Sequence, residues 1–222
     1  MFNLRGITDK EKIILNMELM VEKEEICYII RNNKYKNALF SVVCGWEPVT
    51  AGEGSLNGRK WLNISLDEKA IQFRRTAGIA SRDYKLFSHM NCKRNIMISD
   101  ESDGDRHDFK LYRKYVTIFS VDKLSEKQPK ELSKCQYAQV LLARSFWKRK
   151  SLVIIDGLFD NMPEEERDEF IFMIRNAVKE FHTSVIILAS KDCTHFEVNK
   201  KYLFCNGKLI PQNVFQSIIR TI

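Results

Sequence analysis

The segment from Leu132 to Lys191 constrains the fold more than any other part of this sequence. It contains two short runs rich in β-branched residues, 152–155 and 185–188, separated by a charged segment with helical periodicity. This order is typical of a parallel β-α-β unit whose strands are buried on both faces. Sites in such sheets lie just past the carboxyl ends of the strands, which is where Asp156 and Ser190 fall.

The size and charge of the chain set broad limits on its function. Its 222 residues are enough for one large domain or two small ones with a substantial core. Its formal net charge is +7. Its basic residues are scattered and do not alternate with aromatic residues as single-strand nucleic-acid binders require. We therefore expect no nucleic-acid partner and interpret the charge as solvated surface, with attraction to an anionic membrane face as the alternative.

Cysteine usage and hydropathy indicate the compartment. The 6 cysteines show neither a CxxC pattern nor a paired spacing, which is typical of reduced thiols in a cytosolic protein. The sequence starts with no signal-peptide pattern and has no apolar run near the ~20 residues that span a bilayer. We expect a cytoplasmic protein without direct membrane insertion, located peripherally at the inner face of the cell membrane if a partner holds it there.

Several motifs resemble those of the ATP-binding cassette (ABC) ATPases. Residues 132–145, LSKCQYAQVLLARS, resemble the signature motif and following helix of that family, usually LSGGQxQRVxxARA. Residues 151–162, SLVIIDGLFDNM, resemble its Walker B strand and D-loop, usually φφφφDEPxxxLD. Residues 45–58 and 73–96 resemble the family's GxxxPxxGxxxxxG segment and Q-loop segment. The order and spacing agree, so the resemblance extends over roughly residues 1–210.

The resemblance implies an α/β fold of the P-loop NTPase type. It predicts a mainly parallel sheet flanked by helices, an N-terminal antiparallel β-subdomain and a short helical subdomain. We expect a single domain over 1–222, with a core of about 1–95 and 147–222 and a helical subdomain of about 96–146. A hairpin with a turn at Asn206 and Gly207 is predicted near the end, followed by a short amphipathic segment, 215–222. Residues 99–108 read as an exposed acidic loop without a calcium-binding pattern.

The segment that would hold the phosphates departs from the family pattern. A P-loop reads GxxxxGK[ST], whereas residues 31–38 here read RNNKYKNA. Glycine is needed because successive backbone N–H groups must turn inward around the phosphates, and Asn37 and Ala38 offer no hydroxyl for Mg²⁺. Lys36 falls close to the family's lysine and is the candidate remnant of the cradle. We prefer a plain strand-to-helix turn here and expect no cofactor, with weak binding of ATP and Mg²⁺ as the alternative.

Other positions that carry catalysis in the family are also replaced. The catalytic glutamate position holds Gly157, the Q-loop glutamine position holds Arg82 and the switch histidine position holds Ser190. The D-loop aspartate falls near Pro163 or Glu164. Phosphoryl transfer depends on positioning and charge compensation, so these losses would remove the chemistry. We assign no catalytic residue and no metal site, and expect a protein that is not an active enzyme by itself.

Three further residues retain the family's identities. Asp156 stands where the Walker B carboxylate orders Mg²⁺, and an Asp that caps the turn after a strand is an equally good interpretation. Ser133 and Gln136 remain in the signature, while Lys134 and Cys135 replace its two glycines. We prefer to interpret Ser133 as a helix N-cap. The alternative is that Ser133 and Gln136 form half of a composite nucleotide site with a partner subunit.

The resemblance also implies a docking groove after Arg82, which in the family holds a helix of the membrane subunit. The candidate docking residues are Arg82, Tyr84, Leu86, Phe87 and Met90. Exposed aromatic and methionine side chains suit such an anchor, but the same residues are compatible with a core. The partners implied are a membrane-spanning transporter subunit, a second ABC ATPase in a homo- or heterodimer, or both.

Three functions follow from these observations. The first is a catalytically degenerate cassette subunit that acts as a structural or regulatory partner of a transporter or of a second ABC ATPase. The second is an ATP-hydrolysing transporter subunit that works through a composite heterodimer site. The third is a soluble regulatory scaffold unconnected to transport.

Overall fold

The structure is a computed structural model that describes residues 1–98, 109–192 and 197–214. The predicted acidic loop at 99–108 and the predicted amphipathic segment at 215–222 lie outside the described residues. The strands and α-helices follow the chain in this order: β1 (Phe2–Asp9), β2 (Met17–Val21), β3 (Ile26–Arg31), α1 (Lys36–Val43), β4 (Val49–Leu56), β5 (Arg59–Lys60), α2 (Leu66–Thr76), β6 (Ala77–Ser81), α3 (Cys92–Ile96), α4 (Phe109–Ile118), α5 (Lys134–Phe146), β7 (Leu152–Asp156), α6 (Glu164–Phe181), β8 (Ser184–Ala189), β9 (Lys200–Cys205) and β10 (Lys208–Pro211).

The strands form two sheets. The N-terminal sheet has the order β2-β1-β4-β5, and its strands pair antiparallel. The larger sheet has the order β10-β9-β3-β8-β7-β6, in which all neighbours pair parallel except β9 and β10. The predicted α/β architecture, with its antiparallel N-terminal part, is confirmed.

The parallel sheet is buried on both faces, as its short apolar strands predict. In β7, Val153 and Ile155 belong to one hydrophobic cluster together with residues of α4, α5 and α6. Leu152 and Ile154 point to the other side and pack with α1 and the N-terminal antiparallel sheet. The alternation follows from the two-residue period of a strand.

The last hairpin has the predicted form. Cys205 pairs with Lys208 across a turn, and Asn206 and Gly207 adopt positive φ values of 48° and 79°, as a type I′ turn requires. The division into a core and a helical subdomain stays a prediction, because α4 and α5 pack on the same cluster as α6. Among the helices that the structure describes, none combines the length and the apolar character needed to cross a bilayer.

Candidate functional site

The candidate site lies at the edge of the parallel sheet where the strands end. Register pairs Ser81 of β6 with Asp156 of β7, and Asp156 with Leu188 of β8. β3 lies on the other side of β8 from β7. It ends at Arg31, directly after Ile30, which pairs with β8. The parallel arrangement therefore brings Ser81, Asp156 and Arg31 to one edge, from three different parts of the chain.

Arg31 and Asp156 form a buried ion pair. The Nη2 atom of Arg31 donates a hydrogen bond to Oδ1 of Asp156, and the two side chains are 0% and 1% exposed. Because β8 lies between β3 and β7, the arginine reaches across the end of β8 to make this contact. We did not predict Arg31 as a site residue, although a charged residue closing the apolar run ICYII was a usable signal, since buried arginines are nearly always paired.

The second oxygen of Asp156 faces β6. Ser81 Oγ donates to Asp156 Oδ2 over 3.4 Å and accepts from the backbone N–H of Asp83 over 3.2 Å. Burial raises the pKa of the Asp156 carboxyl, and the charges of Arg31 and Lys36 only partly oppose that rise. Asp156 is thus the carboxylate at the strand edge that was predicted, with a guanidinium as its partner.

Lys36, the predicted remnant of the phosphate cradle, is paired as well. Its Nζ atom donates to Asp83 Oδ2 over 2.7 Å, and this hydrogen bond lowers the pKa of the Asp83 carboxyl. A continuous series of polar contacts therefore runs from Arg31 through Asp156, Ser81 and Asp83 to Lys36. Both cations that flank the β3–α1 connection, residues 32–35, are neutralised by carboxylates of the same chain.

The β3–α1 connection has the form of an ordinary strand-to-helix turn. Asn32 Oδ1 accepts from the backbone N–H of Lys34 over 3.0 Å, and a single 3₁₀ turn, Asn33–Tyr35, leads into α1. Tyr35 caps α1 without a side-chain hydrogen bond. In the described backbone, positive φ values occur elsewhere and not within 31–38. A nest of inward N–H groups alternates right- and left-handed conformations, so this turn does not form one.

Gly157 leaves a space that Arg31 and Asp160 line. It has a φ of 60°, and a Cβ added there would lie 3.1 Å from Asp160 Oδ2 and 3.9 Å from Arg31 Nη2. Asp160 is buried, and its Oδ1 accepts from the backbone N–H of Ser190 over 2.8 Å. Asp160 was not predicted as a site residue. The position that would carry a catalytic glutamate therefore faces an arginine and a second carboxylate.

The loop after β8 is fastened to the sheet. Tyr28 Oη donates to the carbonyl oxygen of Lys191 over 2.7 Å, and Lys201 forms an ion pair with Asp192. Together with the contact between Asp160 and the N–H of Ser190, these bonds hold the segment in which the family places its switch histidine. Ser190 itself is only partly exposed and brings no titratable group to the edge.

These residues do not fit a magnesium ion. The nearest partner of Asp156 is a guanidinium, which has no lone pair to offer a metal. Among the residues that the structure describes, no group of three or more His, Cys, Asp or Glu side chains could hold a metal. The prediction that the chain uses no cofactor is not tested by this geometry and stays a prediction.

Comparisons with known proteins decide the family. The family model described as "ABC transporter" matches residues 14–159. The chain belongs to this family. It is 26% identical over 191 residues to a thiamine import ATP-binding protein of Histophilus somni, a match that covers 85% of this chain and 86% of the relative. It is 21% identical to a lipoprotein-releasing system ATP-binding protein of Francisella tularensis, covering 89% and 87%.

Solved structures agree on the fold of this ABC cassette. The dimeric bacterial ABC transporter cassette MJ0796 superposes with a TM-score of 0.79 at 13% identity, covering 94% of this chain and 96% of that one. The cassette cbiO1 from Clostridium perfringens, part of the transporter complex cbiONQ, superposes with a TM-score of 0.82 at 17% identity, covering 99% and 93%.

The signature of the cassette starts a helix at the protein surface. Ser133 is the N-cap of α5: its Oγ accepts from the N–H of Gln136 over 3.2 Å, and Gln136 Oε1 accepts from the N–H of Ser133 over 3.1 Å. This is a complete capping box. Ser133 and Lys134 are exposed, and in the described structure no hydrogen bond joins Ser133 or Gln136 to the Arg31–Asp156 pair. The composite half-site stays a hypothesis.

The predicted docking residues divide into exposed and buried side chains. Arg82 and Phe87 are exposed, and Tyr84 and Met90 are partly exposed. Leu86 is 5% exposed and belongs to the core cluster, which favours the core alternative over docking for this residue.

An aromatic cluster, consisting of Phe40, Trp46, Phe73 and Tyr84, lies beside these residues. Trp46 is 40% exposed. It stacks on Tyr84 with ring centroids 6.2 Å apart and meets Phe40 edge-on at 5.3 Å. We did not predict Trp46 as a docking residue. Its place directly after the glycine that ends α1 was the available signal, since chain segments that leave a helix end run over the surface.

Proposed function

We propose that this chain is an ABC cassette subunit that does not hydrolyse ATP by itself and acts through protein contacts. Its partner is a membrane-spanning transporter subunit, a second cassette, or both. The names of its relatives, an import ATP-binding protein and a lipoprotein-releasing ATP-binding protein, support a link to transport. We further propose a cytoplasmic position at the inner face of the membrane, held by that partner.

The observation that carries this proposal is the pairing of Arg31 and Lys36 with Asp156 and Asp83. A triphosphate is bound by uncompensated cations and inward backbone N–H groups. Arg31 already faces the buried carboxylate of Asp156. Separating such a buried pair costs more free energy than an ionic contact at the protein surface contributes. Nucleotide binding is therefore expected to be weak or absent.

The catalytic positions support the same conclusion. Gly157 has no side chain to polarise water, and the guanidinium of Arg82 cannot accept a proton or coordinate a metal. Ser190 offers no base. Asp156 keeps its carboxylate, but Arg31 already pairs with its Oδ1 atom, so we expect the charge compensation on which phosphoryl transfer depends to be missing here.

The surface beside Arg82 supports the protein-binding role. Tyr84 links the aromatic cluster to the docking residues, because it stacks on Trp46 and lies in the segment after β6 that also carries Arg82, Phe87 and Met90. Large aromatic side chains that keep part of their surface in water are typical anchors of an interface. We propose that this surface receives a segment of the membrane-spanning subunit.

Calorimetric titration of MgATP into the isolated protein tests the proposal. We expect no binding tighter than about millimolar, which corresponds to ~4 kcal/mol. A relative with an intact P-loop, titrated under the same conditions, is the control. Micromolar affinity would contradict the proposal.

The exposed signature favours a second function, an active ATPase built with a consensus partner. In that case Ser133 would contact the nucleotide of the partner, and Ser133→Ala would reduce turnover by the mixed dimer. Ser65→Ala is a matched control, because Ser65 caps α2 with the same capping box at an exposed site. Equal turnover in the two variants would exclude the composite site.

A soluble scaffold without a transporter is the third candidate. Purification of the tagged chain from detergent-solubilised membranes separates it from the first. Recovery of a stoichiometric membrane-spanning protein supports the transporter role, and recovery of the cassette alone supports the scaffold.

A further inference from the structure

Arg31 is the cation that pairs with Asp156, the residue at the position where the resemblance places the Mg²⁺-ordering carboxylate. We propose that Arg31 is a built-in counter-cation that replaces the metal ion at this carboxylate and ties β3 to β7 across the end of β8. This inference deepens the proposed function, because it states how the strand edge is held together without a ligand.

The Arg31–Asp156 ion pair, which we call the clamp, joins two strands that are not neighbours in the sheet. β3 and β7 do not touch as neighbours in the sheet, since β8 lies between them. The ion pair joins them above the end of β8, and Ser81 extends the contact to β6. One buried guanidinium therefore links the ends of strands on both sides of β8. An ion bound from solution would provide such a link only while it is bound.

Gly157 has no side chain, and Arg31 lines part of the space that a side chain at this position would enter. A Cβ at this position would already lie 3.9 Å from Arg31 Nη2 and 3.1 Å from Asp160 Oδ2, so a glutamate could grow only into space that these groups now line. The positive φ of 60° also disfavours any residue with a side chain. A glycine at position 157 is therefore compatible with Arg31 and Asp160 at this edge, whereas a larger side chain would crowd them.

Three polar atoms near the ion pair lack a hydrogen-bond partner within the described residues, and only one of them, Asp160 Oδ2, is an acceptor that could ligate a metal. Arg31 Nε and Nη1 and Asp160 Oδ2 are buried without a hydrogen-bond partner among the described atoms. The first two are donors, which repel a cation. A divalent ion at Oδ1 of Asp156 would have to displace the guanidinium.

A double-mutant cycle in unfolding by urea tests the clamp. We expect Arg31→Met and Asp156→Leu each to lower the denaturation midpoint strongly, because each leaves a buried charge unpaired, and we expect the double variant to regain most of the loss. Lys36→Met and Asp83→Asn, which separate the partly exposed pair of the same site, are the controls and are expected to change the midpoint little. Additive losses in the Arg31 and Asp156 cycle would overturn the inference.

A second measurement does not depend on the folding of the single variants. The melting temperature of the wild-type protein is expected to be the same with and without Mg²⁺. A rise with Mg²⁺ alone that Asp156→Asn abolishes would overturn the inference, because the metal would then still reach the carboxylate.

The two proposals can fail separately. Additive losses in the cycle, with no binding of MgATP by calorimetry, would remove the clamp and leave the proposed function. Micromolar binding of MgATP to the wild-type protein would count against the proposed function, whatever the cycle gives.

Discussion

The strand edge around Asp156 and the start of α5 at Ser133 differ in how closely they follow the family's motifs and in how their polar groups are paired. At the strand edge, several positions depart from the family's usual motif, and Arg31 and Lys36 are paired with carboxylates of the same chain. At the start of α5, Ser133 and Gln136 keep their identities, remain near the surface and complete a capping box. A phosphate-binding site depends on cations that are not already paired within the protein. The start of a helix, by contrast, is stabilised by its own capping side chains in the absence of any ligand.

The largest expected effect concerns the buried pair. Arg31→Met should lower the free energy of unfolding by about 3–5 kcal/mol, since it leaves Asp156 as a buried carboxylate without its counter-charge. Chemical denaturation monitored by circular dichroism measures this. By contrast, Ser133→Ala removes one exposed cap and should cost about 1 kcal/mol. Similar losses of unfolding free energy in Arg31→Met and Ser133→Ala would contradict the expectation that the buried pair contributes more to stability than the exposed cap.

Lys69 sharpens the comparison because it is a buried cation without a carboxylate partner in the described structure. Its Nζ atom donates to the carbonyl oxygen of Trp61 and lies 4.6 Å from the centre of the Trp61 ring. Burial lowers the pKa of Lys69 from 10.5 to about 8. The folded state therefore releases this proton at a lower pH than the unfolded state does.

The stability of the wild-type protein relative to Lys69→Met should consequently rise with pH. Between pH 8 and 10.5 the unfolded state binds more protons at this residue, so the difference in unfolding free energy should grow by about 1–3 kcal/mol. Urea denaturation of both proteins at several pH values measures it. A difference that is constant with pH would show that Lys69 titrates alike in the folded and unfolded chains.

Gly157→Ala tests the space at the strand edge. The new Cβ would meet Asp160 Oδ2 at 3.1 Å and would have to adopt a φ of 60°, so we expect a loss of about 1–3 kcal/mol in thermal or chemical unfolding. Gly58→Ala is a useful control, because Gly58 also has a positive φ, 76°, but no atom within 4 Å of an added Cβ. Equal losses would indicate that only backbone strain matters at Gly157.

The smallest effect is expected at the lysine that the sequence singled out. Lys36→Met breaks the contact with Asp83, whose side chain is 62% exposed, and should cost only about 0–1 kcal/mol. It should also leave the calorimetric titration with MgATP unchanged. A loss comparable with that of Arg31→Met would mean that the cradle lysine position has kept a larger role than its contacts indicate.

Most of the fold could be predicted from local patterns. The short β-branched runs, the order of the motifs and the Asn-Gly turn are properties of neighbouring residues, and each predicted its element correctly. The candidate residues Asp156, Ser133 and Gln136 were found in the same way, and the N-cap preferred for Ser133 is what the structure has. For Leu86 the sequence left docking and core both open, because an apolar residue in a loop has no periodicity that tells surface from core.

The sequence alone indicated the family and the sheet, and it predicted the departure from the phosphate-cradle pattern, since glycine content and motif spacing can be read from residues close together along the chain. Only the tertiary structure decided which charges neutralise one another. Arg31 and Asp156 are 125 positions apart, and they meet because β3 and β7 end at the same edge of the parallel sheet, on either side of β8. No local pattern encodes that distance, so the partner of the buried carboxylate appeared only once the sheet had been assembled.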